Sequence, residues 1–286
     1  MTLAAWRDRT VVITGGNSGI GLEAARALQA AGADVVLACR DLARARAAAP
    51  GLAVRELDLA DLDSVTAFAE GTTHVDALVS NAGVMGGPFL ATAQGYERQM
   101  GTNHLGHAAL VARLFPLLEK SSGRVVTISS IAARGGALSP ATTAEDLVSP
   151  SAYDPQRVYS NTKQANLLWA QELHRRVGDR VASVAAHPGV SWTNLFPRQL
   201  KDEGRGWLVP PMRVLGPALL QSAKAGAAPT LRALAAPSGS FVGPKRLNQW
   251  RGPAELLDVY RTGSDPATAA RLWELTEQLL GIALPS

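Results

Sequence analysis

The stretch Thr10-Val11-Val12-Ile13-Thr14-Gly15-Gly16-Asn17-Ser18-Gly19-Ile20-Gly21 decides the fold. Its first five residues form a short apolar, β-branched run of the kind that makes a buried strand. A glycine-rich turn follows, then a helical pattern over 20–31. Glycines let a backbone turn sharply and approach a diphosphate closely. The helix behind them offers free N–H groups and a positive dipole end to phosphate oxygens. The spacing G-x-x-x-G-x-G differs from the common dinucleotide pattern G-x-G-x-x-G. A tight structural turn is therefore the alternative, and position between the first strand and first helix carries the nucleotide reading.

Working outward, the same alternation repeats. Strands are expected at 10–14, 34–38, 53–57, 75–79, 124–129, 181–186 and 240–242, and helices at 20–31, 42–49, 62–69, 94–118 and 159–177. Continuous apolar strand runs separated by crossover helices predict an α/β fold, a Rossmann-type doubly wound parallel sheet of about seven strands with helices on both faces. No repeat or Pro/Gly/Ser-rich linker divides the chain, so one domain over 1–286 is expected. Residues 1–123 would be mainly the cofactor half and 124–286 the catalytic and substrate half. The stretches 131–158 and 196–220 break the alternation, and a lid is expected at about 191–220. Near the end, Asp265 can cap a helix that starts at Pro266 and ends at Gly281.

The chain has 286 residues, 47% hydrophobic and 18% charged, which suits a globular protein and excludes a disordered or fibrous one. No apolar run is long enough for a membrane helix. Residues 1–10 lack the apolar segment of a secretion signal. The single cysteine, Cys39, fits a reducing compartment, so a cytoplasmic protein without membrane attachment is expected. A net charge of +4 without basic blocks argues against nucleic-acid binding. The five histidines lack zinc spacing, and no metal site is expected; packing or surface roles suit them.

Ligands of such sheets bind beyond the carboxyl ends of the strands. The second strand ends at Cys39-Arg40, the third at Asp58-Leu59, and the fourth at Asn81-Ala82-Gly83. An acidic residue at the second tip would hold the ribose hydroxyls of NAD, whereas an arginine accommodates the 2′-phosphate of NADP. Arg40 therefore favours NADP(H) over NAD(H). Asp41 sits one position late and is better placed to cap the next helix. Asp58 could hold ligand or simply cap a turn.

The chemistry centres on Tyr159 and Lys163, four apart and so on one helix face. A neighbouring cation favours phenolate, and a phenol so tuned can exchange a proton with an alcohol or carbonyl oxygen. Tyr153 and Arg157 share the spacing, but Pro155 lies between them. Ser129-Ser130 ends the fifth strand, where a hydroxyl can polarise a carbonyl. Asn103 lies within an apolar helical stretch, where its amide needs partners.

These motifs, Thr14–Gly21, Asp58, Asn81-Ala82-Gly83, Asn103, Ser130, Tyr159-x-x-x-Lys163 and Pro188-Gly189, occur in an order that resembles the short-chain dehydrogenase/reductase family over about the first 195 residues. The runs Leu37-Ala38-Cys39-Arg40-Asp41, Asn103-His104-Leu105-Gly106-His107 and Lys163-Gln164-Ala165-Asn166-Leu167-Leu168 are similar to its retinol-dehydrogenase-like and protochlorophyllide-reductase-like branch. The resemblance implies that Tyr159 is the proton donor or acceptor, that Lys163 lowers its pKa and holds the nicotinamide ribose, and that Ser130 orients the carbonyl. It implies that Asn103 binds a water linking Lys163 to solvent. It places Gly15, Asn17, Ser18, Ile20, Gly21, Arg40, Asp58, Leu59, Asn81, Ala82, Gly83, Pro188, Val190 and Thr193 on the cofactor. Ser130 stands 29 positions before Tyr159, a long separation that suits this branch.

The expected function is an NADP(H)-dependent oxidoreductase interconverting carbonyl and alcohol on a fairly apolar small molecule. Trp192, Leu195, Phe196 and Trp207 are expected to line the substrate pocket with Ser130. A C=C reductase on the same scaffold and a non-catalytic NADP-binding regulator are the alternatives. The apolar positions of 161–176 and 104–118 suggest a homodimer or homotetramer through helices.

Overall fold

The structure, a computed structural model, describes residues 3–190 and 221–286. One sheet holds β1 (Thr10–Thr14), β2 (Asp34–Cys39), β3 (Ala53–Glu56), β4 (Ala77–Ser80), β5 (Arg124–Ile128), β6 (Ala182–Ala186), β7 (Phe241–Arg246) and β8 (Arg251–Leu257). Their order is β3-β2-β1-β4-β5-β6-β7-β8, all parallel except the β7–β8 pair. The chain doubles back between β1 and β4, so a crevice opens at their carboxyl ends.

Alternation along β1 builds both layers. Val11 and Ile13 pack beneath α1 (Gly19–Ala30). Val12 faces α3 (Leu62–Glu70), α4 (Gly106–Lys120) and α6 (Pro155–Val177). Asp41 caps α2 (Leu42–Ala48), its Oδ1 accepting the Arg44 N–H at 2.9 Å. A five-residue helix, α5 (Ala144–Val148), sits in the irregular stretch before α6, and α7 (Ala223–Ala233) joins α1 on its face of the sheet. The last helix, α8 (Pro266–Leu280), is capped by Asp265 and stopped by left-handed Gly281.

Two sequence expectations change. An eighth strand exists: Gly252, Pro253 and Glu255 deny it an apolar run, and as an edge strand it tolerates a residue without an N–H. The continuous helix expected at 94–118 is instead a single turn (Arg98–Met100), a π-helical turn (Gly101–Leu105) and α4. Gly106 shows why the chain runs so close to the end of β3: a Cβ there would lie 2.2 Å from the Leu59 carbonyl oxygen. Leu110, Leu114, Leu167, Leu168 and Leu173 are buried inside the chain, and Trp273 of α8 stacks on Trp169 of α6 at 4.6 Å. No described helix is long and apolar enough to cross a membrane.

Candidate active site

A cleft of about 540 Å³ runs along the strand ends, large enough for an extended ligand. Its floor at one end is the glycine turn. Gly15 has φ +66°, and a Cβ there would lie 2.8 Å from the Ala82 Cα, so only glycine lets the two strand ends close up. Ser18 starts α1 without a side-chain capping bond, leaving the first helical N–H groups to the cleft. Gly15, Asn17, Ser18, Ile20, Gly21, Arg40, Asp58, Leu59, Asn81, Ala82, Gly83, Pro188 and Val190 all line it. Asp58 accepts from Ala60 N at 3.0 Å and also stands 3.7 Å from the exposed Arg40, so its capping and cleft roles coexist. Arg44 lines the same end and was not singled out from sequence, although it stands four residues after Arg40. A phosphate-accepting turn, an open helix start and two guanidinium groups fit a dinucleotide.

At the other end Ser130, Tyr159 and Lys163 line the cleft together. Ser129 is turned away: it is buried and donates to the Lys163 carbonyl at 2.6 Å. The Ser130 hydroxyl accepts from Ala132 N at 3.2 Å and faces the cleft beside Tyr159. Burial pushes the Tyr159 phenol up to about 12, with the neighbouring Ser130 hydroxyl pulling the other way. The Lys163 ammonium donates to the Ile128 carbonyl at 3.1 Å and lies 5.8 Å from the centre of the Tyr159 ring. Burial pushes Lys163 down to about 8. The phenol pKa is thus set here mainly by desolvation, and Lys163 is not among the groups that lower it.

Asn103 does not line the cleft. Its Oδ1 accepts from Val84 N at 2.8 Å, and its Nδ2 donates to Val84 O at 2.9 Å and to Thr162 Oγ1 at 3.1 Å. Thr162 donates in turn to the Tyr159 carbonyl at 2.8 Å. Both amide protons are therefore engaged by protein, and Asn103 ties the loop after β4 to α6. It sits in the π-helical turn, a common device at functional sites.

His107 continues this scaffold. Thr14 Oγ1 accepts from Asn81 N and Ala82 N, both at 2.9 Å, which fills its lone pairs. The Asn103 carbonyl can only accept, so His107 Nδ1–H donates to it at 3.0 Å and the neutral Nε2 accepts from the Thr14 hydroxyl at 2.9 Å, which also lies 3.4 Å from the Val79 carbonyl. Only the neutral Nδ1–H tautomer satisfies both bonds. Burial holds its pKa down to about 4; the Asn103 bond opposes that and the Lys163 charge adds to it. His187, at the end of β6, has the other tautomer. Its Nδ1 accepts from Gly189 N at 3.2 Å, and its Nε2 meets the Tyr260 hydroxyl at 3.2 Å, which donates to Gln249 at 2.6 Å. These two histidines brace the strand ends through their hydrogen bonds.

Thr193, Trp192, Leu195, Phe196 and Trp207, and the expected lid at 191–220, lie outside the described residues. Among the described residues no group of three or more His, Cys, Asp or Glu could hold a metal.

A dinucleotide-sized crevice with Ser130, Tyr159 and Lys163 at one end defines an oxidoreductase site. The short chain dehydrogenase sequence profile matches residues 9–142. Human retinol dehydrogenase 12 is 35% identical over 96% of this chain and 87% of its own length, and human retinol dehydrogenase 14 is 33% identical with the same coverage. The crystal structure of an uncharacterised protein from Mycobacterium paratuberculosis superposes with a TM-score of 0.81 at 40% identity, covering 100% of this chain and 99% of that one. The chain belongs to the short-chain dehydrogenase/reductase family, in its retinol-dehydrogenase-like branch.

Proposed function

We propose that the protein is an NADP(H)-dependent oxidoreductase that interconverts a carbonyl and an alcohol on a fairly apolar small molecule, with Tyr159 moving the proton. The observation that carries this reading is the convergence of Ser130, Tyr159 and Lys163 on one cleft with the glycine turn. Ser130 can hold a substrate oxygen beside Tyr159, whose proton is then available to that oxygen. A phenol that holds its proton at neutral pH can give it to a carbonyl oxygen, and the phenolate so formed can take one back from an alcohol. The nicotinamide cofactor, when bound, supplies or accepts the hydride.

Arg40 and Arg44 support the phosphorylated cofactor, since two guanidinium groups flank the end of β2 where an NAD-binding acid would otherwise stand. Asp41 is engaged in capping α2. The names of the two retinol dehydrogenases support an alcohol or aldehyde substrate class. A small molecule rather than a nucleic acid is the partner in this reading, and the free, buried Cys39 suits a cytoplasmic setting. The test is a panel of aldehydes, ketones and alcohols with NADPH or NADP⁺, followed by nicotinamide absorbance. Turnover of at least one carbonyl class supports the reading; none, with NADPH bound, refutes it.

A further inference from the structure

Arg98 opens the single helical turn Arg98–Met100, and its side chain lines the cleft. Its Nη2 donates to the Gly86 carbonyl at 2.9 Å, while its buried Nε has no hydrogen-bond partner. Among the described residues no carboxylate forms an ion pair with it. The nearest candidate, Glu97, is buried and turned to other work, accepting from Met100 N at 2.7 Å and from the Tyr153 hydroxyl at 3.4 Å. Glu97 feels the Arg98 charge, but no ion pair joins them, so the guanidinium can meet an acid from the cleft.

The surroundings hold this group in place. Gln99 accepts from Gly86 N and donates to the Pro155 carbonyl, both at 3.0 Å. Tyr153 donates to the Gly87 carbonyl at 3.3 Å. The loop bearing Arg98's backbone partner is thereby fastened to the first turn of α6, on the Tyr159 side of the cleft. Gln156 lines the cleft one helical turn before Tyr159, about 5 Å along the axis. Val84, Met85 and Ile131 add apolar lining to the same cleft.

The geometry points to Arg98, assisted by Gln156, as the site that binds a carboxylate at the far end of the carbonyl substrate. This inference rests on the carbonyl reading above and names its substrate class: an apolar oxo acid whose carboxylate lies several bonds from the reacting carbon. The reaction is unaltered by it. The C=O π bond breaks, hydride arrives at carbon, the Tyr159 proton arrives at oxygen, and the carboxylate remains ionised throughout.

The experiment compares nonanal with 9-oxononanoate in the wild type, Arg98→Met and Arg98→Lys, with thermal melts checking that each variant folds. Binding of nonanoate, which cannot react, is measured in parallel by calorimetry on the NADP⁺ complex. The wild type should favour the oxo acid by roughly 10–100-fold in kcat/KM, carried mainly by KM, as a charge-assisted pair implies. Arg98→Met should bring that ratio near one and weaken nonanoate binding by a similar factor, and Arg98→Lys should retain part of both. Equal use of the two aldehydes by the wild type, with nonanoate binding indifferent to Arg98, overturns the inference. Nonanoate binding that depends on Arg98 without turnover of either aldehyde refutes the carbonyl reading and leaves the anion site standing.

Discussion

Three histidines make the fold sensitive to acid, and lowering the pH tests how they are held. Burial is the largest cause in each case and pushes His104 down to about 3 and His107 and His187 down to about 4, from an ordinary 6.5. As pH falls through 6.5 the unfolded chain takes up protons at these positions, while the folded chain does not until about 4 or below. The unfolded state then binds more protons, so stability falls with falling pH. Above 6.5 these groups contribute no pH dependence. Between 6.5 and 4 each adds a slope approaching 1.4 kcal/mol per pH unit, or about 4 kcal/mol per unit for the three. That is a large share of a typical 5–15 kcal/mol of stability. Glu97, whose carboxyl burial pushes up, acts in the opposite sense. Urea melts at pH 7.5, 6.5, 5.5 and 5.0 read the slope directly, and His187→Asn should remove about a third of it below pH 6.5. Stability that stays level from pH 6.5 to 5.0, or a slope untouched by that substitution, would refute the assignment of these histidines as neutral and buried.

Arg40→Ala with Arg44→Ala should weaken NADPH binding roughly 10–100-fold while leaving NADH nearly unaffected, read by fluorescence titration. Asn103→Ala leaves the Val84 N–H and carbonyl without their partner and should cost about 2–4 kcal/mol in urea melts, with a lower kcat as the Tyr159 backbone loses its brace. Gly15→Val puts a branched side chain at φ +66° against Ala82, so NADPH binding by calorimetry should be lost at micromolar protein.

The parts of this account legible in the sequence are those written locally. The glycine turn after β1, the i,i+4 pair Tyr159–Lys163, the Asp41 cap and the Asp265–Gly281 helix each depend on neighbours within one or two turns. What escaped depends on distant contacts. β8 carries Gly252 and Pro253 and gains its register only from β7. The π-helical turn arises where Gly106 meets the Leu59 carbonyl, a contact between residues 47 apart. The roles of Thr162, His107 and His187 come from bonds that cross elements, although His107 falls four residues after Asn103. The tyrosine pKa depends on burial, which spacing alone cannot express.

The most direct measurement is single-turnover carbonyl reduction in Tyr159→Phe, with NADPH affinity determined on the same preparation. The account predicts reduction slowed by at least about a thousandfold while the dissociation constant for NADPH changes by less than about threefold. Reduction at close to the wild-type rate in that variant would show that some other group delivers the proton.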